Sequence, residues 1–428
     1  MELIPLYIAF ILFFLDVPVA FSMLAAALVY FGFLNHTMPA DLMLQQFVSG
    51  VQSFPLLAIP FFTMAGVVMN YSGITERLMT FAELMVGHMK GGYAQANVVM
   101  SVLMGGICGS SNADAAMETK IFVPEMVKRG YSAEYSAVIT ATSSCITAVI
   151  PPGIMMILYC IVARVSIGKM FLAGYIPGLI VMTALMITVN ITSRKKGYGQ
   201  FREKKATSSE IAIGAKAAVL ALIMPFGIIA ALRFGVFTAT EAGAMAVMYC
   251  FIIGLFVYKA LHISDFPAIL LETLHSTGSI MFIIVGANLF GVYLTYERIP
   301  HYMSEYLANV TSSPIIFLLL VNIFLLIVGM FLDGSPAILI LGPLLAPVAV
   351  SMGIDPVHFG IICLVNLVIG GITPPFASMM FIVCAMLQLP VEKFIREIWP
   401  FLIALFISLG IITLIPQAAL FLPNLIIG

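Results

Sequence analysis

The sequence predicts an all-α polytopic membrane protein made of two inverted-topology repeats, each with a re-entrant helical hairpin and a broken helix. Three observations predict it. Only 9% of the 428 residues are charged and 62% are hydrophobic, with a mean hydropathy of +1.12, too little charge to cover a water-facing surface of this size. The long apolar stretches are interrupted by Gly, Pro and small polar residues. The second half repeats the proline and glycine register of the first after 223 positions.

Composition also excludes whole classes. A net charge of −1 with no basic stripe argues against a nucleic-acid partner. Cysteines 108, 145, 160, 250, 363 and 384 all lie in apolar stretches with no CxxC pair, so they read as small buried hydrophobes. The histidines are scattered and form no HExxH. No GxxxxGK[ST] loop is present, which argues against an ATP-driven pump. The first apolar stretch lacks a basic leader and runs too long for a cleavable signal, so it reads as the first span.

Apolar stretches fall near 4–33, 53–70, 92–128, 134–163, 171–193, 212–232, 237–259, 277–296, 313–350, 356–389 and 397–425. A span takes about 20 residues, so several of these are too long for one crossing. Amphipathic pieces at 77–90 and 298–310 suit the membrane interface. The run RKKGYGQFREKK at 194–205 holds six of the 19 Lys and Arg, which places it in the cytoplasm. It divides a first repeat, 1–193, from a connecting segment, 194–236, and a second repeat, 237–428.

The register of the two repeats is set by breaks in the backbone. At a shift of 223, Pro124 meets Pro347, Gly130 meets Gly353, Pro151-Pro152 meets Pro374-Pro375, and Pro177 meets Pro400. Each of these residues constrains the chain, so their coincidence carries more weight than matched leucines. If each re-entrant segment leaves on the side it entered, the unpaired helix at 212–232 makes the crossings between equivalent points odd. The repeats are then inverted, the architecture of secondary transporters with sites near the midplane.

The hairpins are predicted at 92–128 and 313–350. In the first, limbs of about 12–16 residues, roughly 18–24 Å, fall short of a crossing and flank the break Gly105–Asn112. The second breaks at Asp333, Gly334, Ser335 and Pro336. The broken helices, 134–163 and 356–389, are interrupted at Pro151-Pro152 and Pro374-Pro375, whose preceding residues leave the α region and free carbonyls. Carbonyls beside Ser, Thr and Asn oxygens form cages suited to Na⁺. Two are expected, Ser110–Asn112 with 145–150 and 333–335 with 368–373. The plainer alternative is kinking and small-residue packing.

The carboxylates break the symmetry. Asp114, Glu118 and Glu125 fall within about 40° on one helical face, while their counterparts are Ala337, Leu341 and Val348. Asp114 is the deepest and a functional candidate; capping of the returning limb is its plainer role. Half-helix N-termini aimed at the midplane favour an anionic group such as a substrate carboxylate. Asp16 and Glu241 read as helix caps, and Arg233 and Arg298 as interface anchors. An intramembrane aspartyl enzyme using Asp114 and Asp333 is a second class, without a protease signature around either residue.

The motifs GGICGSSNADAA, VPEMVKRGY, AVIPPGIMM, FTATEAGA and GGITPPFAS resemble the large membrane subunit of tripartite ATP-independent periplasmic (TRAP) transporters, along essentially the whole chain. The resemblance implies the ion-transporter-superfamily fold, with a scaffold and an elevator-type transport domain. It implies Na⁺-coupled import of an organic acid, no organic cofactor, a multi-pass place among inner-membrane lipids, a separate small four-helix membrane subunit and a periplasmic substrate-binding protein. It maps sodium sites onto Ser110, Ser111, Asn112, Thr147, Ile150, Pro151, Gly334, Ser335, Gly370, Gly371 and Thr373. Substrate contacts are expected from Asp114, Asn112, Ser111, Pro152 and Pro374. The Asn in GSSNADAA leans toward sialic acid over a C4-dicarboxylate. A stand-alone divalent-anion transporter, working without a binding protein, is the alternative within the class.

Overall fold

The computed structural model describes residues 3–15, 17–35, 40–106, 109–202, 204–299, 301–302 and 313–427, and contains helices but no strand among them. Asp16, Cys108 and most of 298–310 lie outside the described residues. In chain order the helices are α1 (Ile4–Phe14), α2 (Val19–Val29), α3 (Ala40–Ser49), α4 (Ala58–Tyr71), α5 (Ile74–Val86), α6 (Gly92–Gly105), α7 (Ser111–Lys128), α8 (Ala133–Val149), α9 (Ile154–Ala163) and α10 (Ile167–Lys196). There follow α11 (Ser208–Arg233), α12 (Ala239–Ile252), α13 (Phe266–Tyr296), α14 (Pro314–Phe331), α15 (Gly334–Ser351), α16 (Pro356–Gly370), α17 (Ser378–Leu387), α18 (Val391–Leu414) and α19 (Gln417–Ile426). Eight helices among the described residues are long and apolar enough to cross a membrane, and α8 with α9, bent by 43° at their break, are so only when taken together.

Two expected single stretches are divided. The stretch 4–33 is two helices, because Pro18 holds the N-cap of α2 at ψ 134°, outside the α region. The stretch 397–425 is likewise split at Ile415–Pro416 between α18 and α19. Conversely, the stretch at 277–296 begins earlier, at Phe266, with Pro267 in its first turn, where a missing N–H costs nothing.

Caps and glycines set the breaks. Thr238 and Glu241 form a capping box at the start of α12, so Glu241 is a cap, as its place in the sequence implied. Gly91 enters α6 at φ 67°, and a Cβ there would lie 2.1 Å from Ser193 Oγ, so only glycine fits. The helix starts keep the sequence register: Ser111 and Gly334, and Ala133 and Pro356, are each 223 residues apart. Pro151-Pro152 and Pro374-Pro375, at the same spacing, are both cis.

Packing crosses between the halves. α7 packs on α8 and α14 on α16, each within its own half. In addition α15 packs on α9, and α17 packs on α7. Each returning limb therefore leans on the outer half-helix of the other half, and this brings the two hairpin tips together. α2, α4, α12 and α13 pack among themselves beside this group.

Candidate functional site

Of the break expected at Gly105–Asn112, Gly105 ends α6 and Ser111 and Asn112 already stand in the first turn of α7. Ser110 is the N-cap and accepts from the Ala113 N–H. Capping was the plainer role for Asp114; the cap is Ser110, and Asp114 is free for another partner. Gly109, at φ 62°, lays the turn against the broken helix: Ile154 N donates to Gly109 O at 3.3 Å. A Cβ at Gly109 would lie 2.4 Å from the Pro152 carbonyl oxygen. At the second hairpin, Gly329 and Gly370 meet backbone to backbone, a Cβ on Gly370 falling 2.6 Å from Gly329 Cα.

A cavity of about 350 Å³ lies between the tips. Its walls include Ser110, Ser111 and Asn112 from one hairpin, and Asp333, Gly334 and Ser335 from the other, with Gly371 and Ser378 from the second broken helix. Asn112 Nδ2 donates to Asp333 Oδ1 at 2.8 Å, tying the tips together. Residues 110–112 and 333–335, expected in separate cages, thus line one shared cavity, which 145–150 do not reach. The far wall is α13, through Ser276, Ser279, Ile280 and Ile283. Sequence reasoning missed these serines, although the polar run HSTGS at 275–279 inside an apolar helix was the signal that could have found them.

Behind the first tip lies a buried polar cluster. Asp114 and Glu118 are both fully buried. The Thr147 hydroxyl reaches Asp114 Oδ2 at 2.7 Å and the Ser101 carbonyl at 3.0 Å, and with one proton it satisfies only one at a time. The Ser101 hydroxyl donates to Glu118 at 3.1 Å, and Ser143 donates to Asn97 Oδ1 at 2.7 Å. Asp114 Oδ1 and Ser111 Oγ have no hydrogen-bond partner. A buried acceptor left without a donor costs about 1–3 kcal/mol, and more if charged. A hydroxyl oxygen and a carboxylate oxygen, both unpartnered, are donors of the kind a hard cation takes. Glu125, by contrast, pairs with Arg129 at 2.9 Å and Lys128 at 3.6 Å, where the helix meets solvent.

Asp114, Pro152 and Pro374 do not line the cavity, whereas Ser111 and Asn112 do. Asp114 turns inward onto Thr147, and Pro152 is buried under Gly109. Among the remaining sodium-site expectations, Thr147, Ile150 and Pro151 are buried beside the first tip, where a Cβ on Gly105 would fall 2.5 Å from Ile150 Cβ. Thr373 spends its hydroxyl on Ile369 O at 2.7 Å, and Gly371 O accepts from Met379 N at 3.0 Å. In the second half Asn366 Nδ2 donates to Asn322 Oδ1 at 2.6 Å, a buried neutral amide pair.

Interrupted helices meeting at a polar cavity inside a helical membrane domain define a transporter fold. The structure is similar to the Alcanivorax borkumensis YdaH transporter, at a TM-score of 0.63 and 13% identity, covering 95% of this chain and 97% of that one. It is also similar to Neisseria gonorrhoeae MtrF, at a TM-score of 0.58 and 12% identity, covering 96% and 95%. The chain belongs to the family described as "Tripartite ATP-independent periplasmic transporter, DctM component", whose model matches residues 6–418. It is 36% identical to the Vibrio cholerae sialic acid TRAP transporter large permease SiaM, over 97% of both chains. It is 39% identical to the Pseudomonas aeruginosa C4-dicarboxylate TRAP transporter large permease DctM, over 87% of both. It is 35% identical to the Haemophilus influenzae sialic acid TRAP transporter permease SiaT, over 99% of this chain and 68% of that longer one. These relatives are permeases, which removes the aspartyl-enzyme alternative. Family and apolar helices together make this a multi-pass inner-membrane protein.

Proposed function

We propose that this permease imports an organic acid with Na⁺ by an elevator movement, receiving it from a periplasmic binding protein and working with a separate small membrane subunit. The observation that carries this reading is the shared cavity, whose lining residues include one carboxylate, several serines and no cationic side chain. An anion bound there meets two helix N-termini, at Ser111 and Gly334, worth about 0.3–1 kcal/mol each. That is small against the desolvation of a carboxylate, so a cation travelling with it supplies the remaining charge. Ser111 Oγ and Asp114 Oδ1, both unpartnered, support a place for that cation beside the first tip. Ser335, Gly370, Gly371 and Thr373 are the candidates beside the second.

Relatives named for sialic acid and for C4-dicarboxylates are similarly close, so identity does not choose between them. The wall favours the first. Asp333 repels a second negative charge, while it and the hydroxyls of Ser110, Ser111, Ser276, Ser279, Ser335 and Ser378 can pair with a polyhydroxylated monoanion. The test is uptake into proteoliposomes with the small subunit and binding protein supplied. Uptake should collapse when external Na⁺ is replaced by K⁺; undiminished uptake would refute coupling. Full uptake without the binding protein would restore the stand-alone alternative.

A further inference from the structure

A second cavity, of about 410 Å³, lies on the same seam as the first. The first cavity touches α9 at Ile154 and Met155, α15 at Gly334–Pro336, and α13 at Ser276–Ile283. The second touches α9 at Leu158, Ile161 and Val162, α15 at Leu339 and Pro343, and α13 from Ile284 to Tyr296. Successive turns of the same three helices therefore line one cavity and then the other. The first cavity has no cationic side chain in its wall; the second has one, Arg164, with Asn288, Thr295 and Tyr296 beside it.

Arg164 has neither a carboxylate partner nor a burial requirement. It is exposed, and none of the ion pairs among the described residues includes it. It sits at the end of α9 in the left-handed region, φ 54°, which non-glycine residues adopt at a cost. The equivalent cap of the other half, at the end of α17, is Gln388 at φ 51°, so this turn does not require a cation. α10 begins three residues after Arg164 and runs 30 residues, about 45 Å, to Arg194, Lys195 and Lys196. Arg164 therefore lies on the membrane face opposite the basic loop.

We propose that this cavity is a second binding site for the carboxylate of the transported acid, on the face opposite the basic loop, with Arg164 contacting the anion. The assignment rests on the organic-acid reading above and names where on the seam the acid is first held. Guanidinium offers a fixed fork of donors that matches a carboxylate, and the charge persists at any physiological pH. Asn288 and Thr295 spend donors within the protein, on Gln46 O and Gly291 O, leaving Arg164 as the free cationic donor at the rim.

The test is charge-selective labelling of Thr295→Cys in proteoliposomes, with methanethiosulfonates carrying a sulfonate or a trimethylammonium group. The sulfonate-to-ammonium rate ratio should fall about fivefold in Arg164→Gly, a variant that keeps the left-handed backbone, and recover in Arg164→Lys. Ile263→Cys, which is 81% exposed and outside the cavity, should show no dependence on Arg164. Added sialic acid should slow Thr295→Cys labelling, and Arg164→Gly should raise the KM for uptake with kcat within about twofold. A ratio unmoved by Arg164→Gly overturns the site. A ratio that appears only in anionic-lipid vesicles, or a variant with unchanged KM, makes the anion a lipid phosphate and overturns the substrate assignment. Labelling needs no transport, so charge-selective labelling without uptake of any acid would count against the organic-acid reading instead.

Discussion

Replacing Gly109 with alanine tests the docking of the first hairpin tip on the broken helix. At φ 62° the new side chain pays the left-handed penalty, about 1–2 kcal/mol. Its Cβ would also lie 2.4 Å from the Pro152 carbonyl oxygen and 3.4 Å from Gly153 Cα. Both neighbours are backbone, fixed by α9, so the tip must move, at about 1–3 kcal/mol more. Gly130→Ala is the matched control: φ is 87° and nothing lies within 4 Å of its Cβ, so it pays the backbone term alone. Thermal unfolding of the purified protein in detergent should place Gly109→Ala below Gly130→Ala by the packing difference, on the order of a few degrees. Uptake should fall much further in Gly109→Ala, because the displaced tip separates Ser110 and Ser111 from the carbonyls of the break. Equal losses of stability and uptake in the two variants would refute the account of the tip as a docked, functional turn.

Thr147→Val removes the hydroxyl that donates to Asp114 Oδ2 at 2.7 Å, a hydrogen bond worth about 1.5–3 kcal/mol toward a carboxylate. Half-saturating Na⁺ for uptake should rise at least about tenfold, with Thr147→Ser near wild type; an unchanged Na⁺ curve counts against a cation beside Asp114. Asn112→Ala cuts the exposed link to Asp333, so stability should change by under about 1 kcal/mol in denaturation while the substrate KM shifts; a large stability loss with normal KM would make the link structural. Gly370→Ala puts Cβ 2.6 Å from Gly329 Cα, and helix-on-helix backbone contact cannot yield, so folded protein should drop sharply in size-exclusion yield; normal yield would show that α14 can slide.

The parts of the fold legible in the sequence are those fixed by local covalent chemistry. Pro151-Pro152, Pro374-Pro375 and the Gly-rich tips break helices wherever they occur, so the helix breaks could be placed to within a few residues. What joins them could not. Asn112 and Asp333 are 221 residues apart, and their contact depends on α15 crossing to α9 and α17 to α7, which no local pattern encodes. For the same reason the cavity shared by the two tips went unforeseen. Glu118 was legible as a member of a stripe, but its complete burial depends on Ser101 and Ser143 from two other helices. Ser276 and Ser279 went unread because α13 has no break, and a few hydroxyls in a long apolar helix are usually satisfied by its own carbonyls, as Ser279 is by His275 O.

The crossed packing of α15 on α9 also orders events in time. The first half-helix partner, Ile154–Ala163, leaves the ribosome some 170 residues before Gly334 does. At about 5–20 residues per second, it waits roughly 10–35 s for the limb that covers it. Through that interval Gly109, Ser110 and Ser111 of the first tip line a cavity whose opposite wall, Asp333, Gly334 and Ser335, has yet to be made.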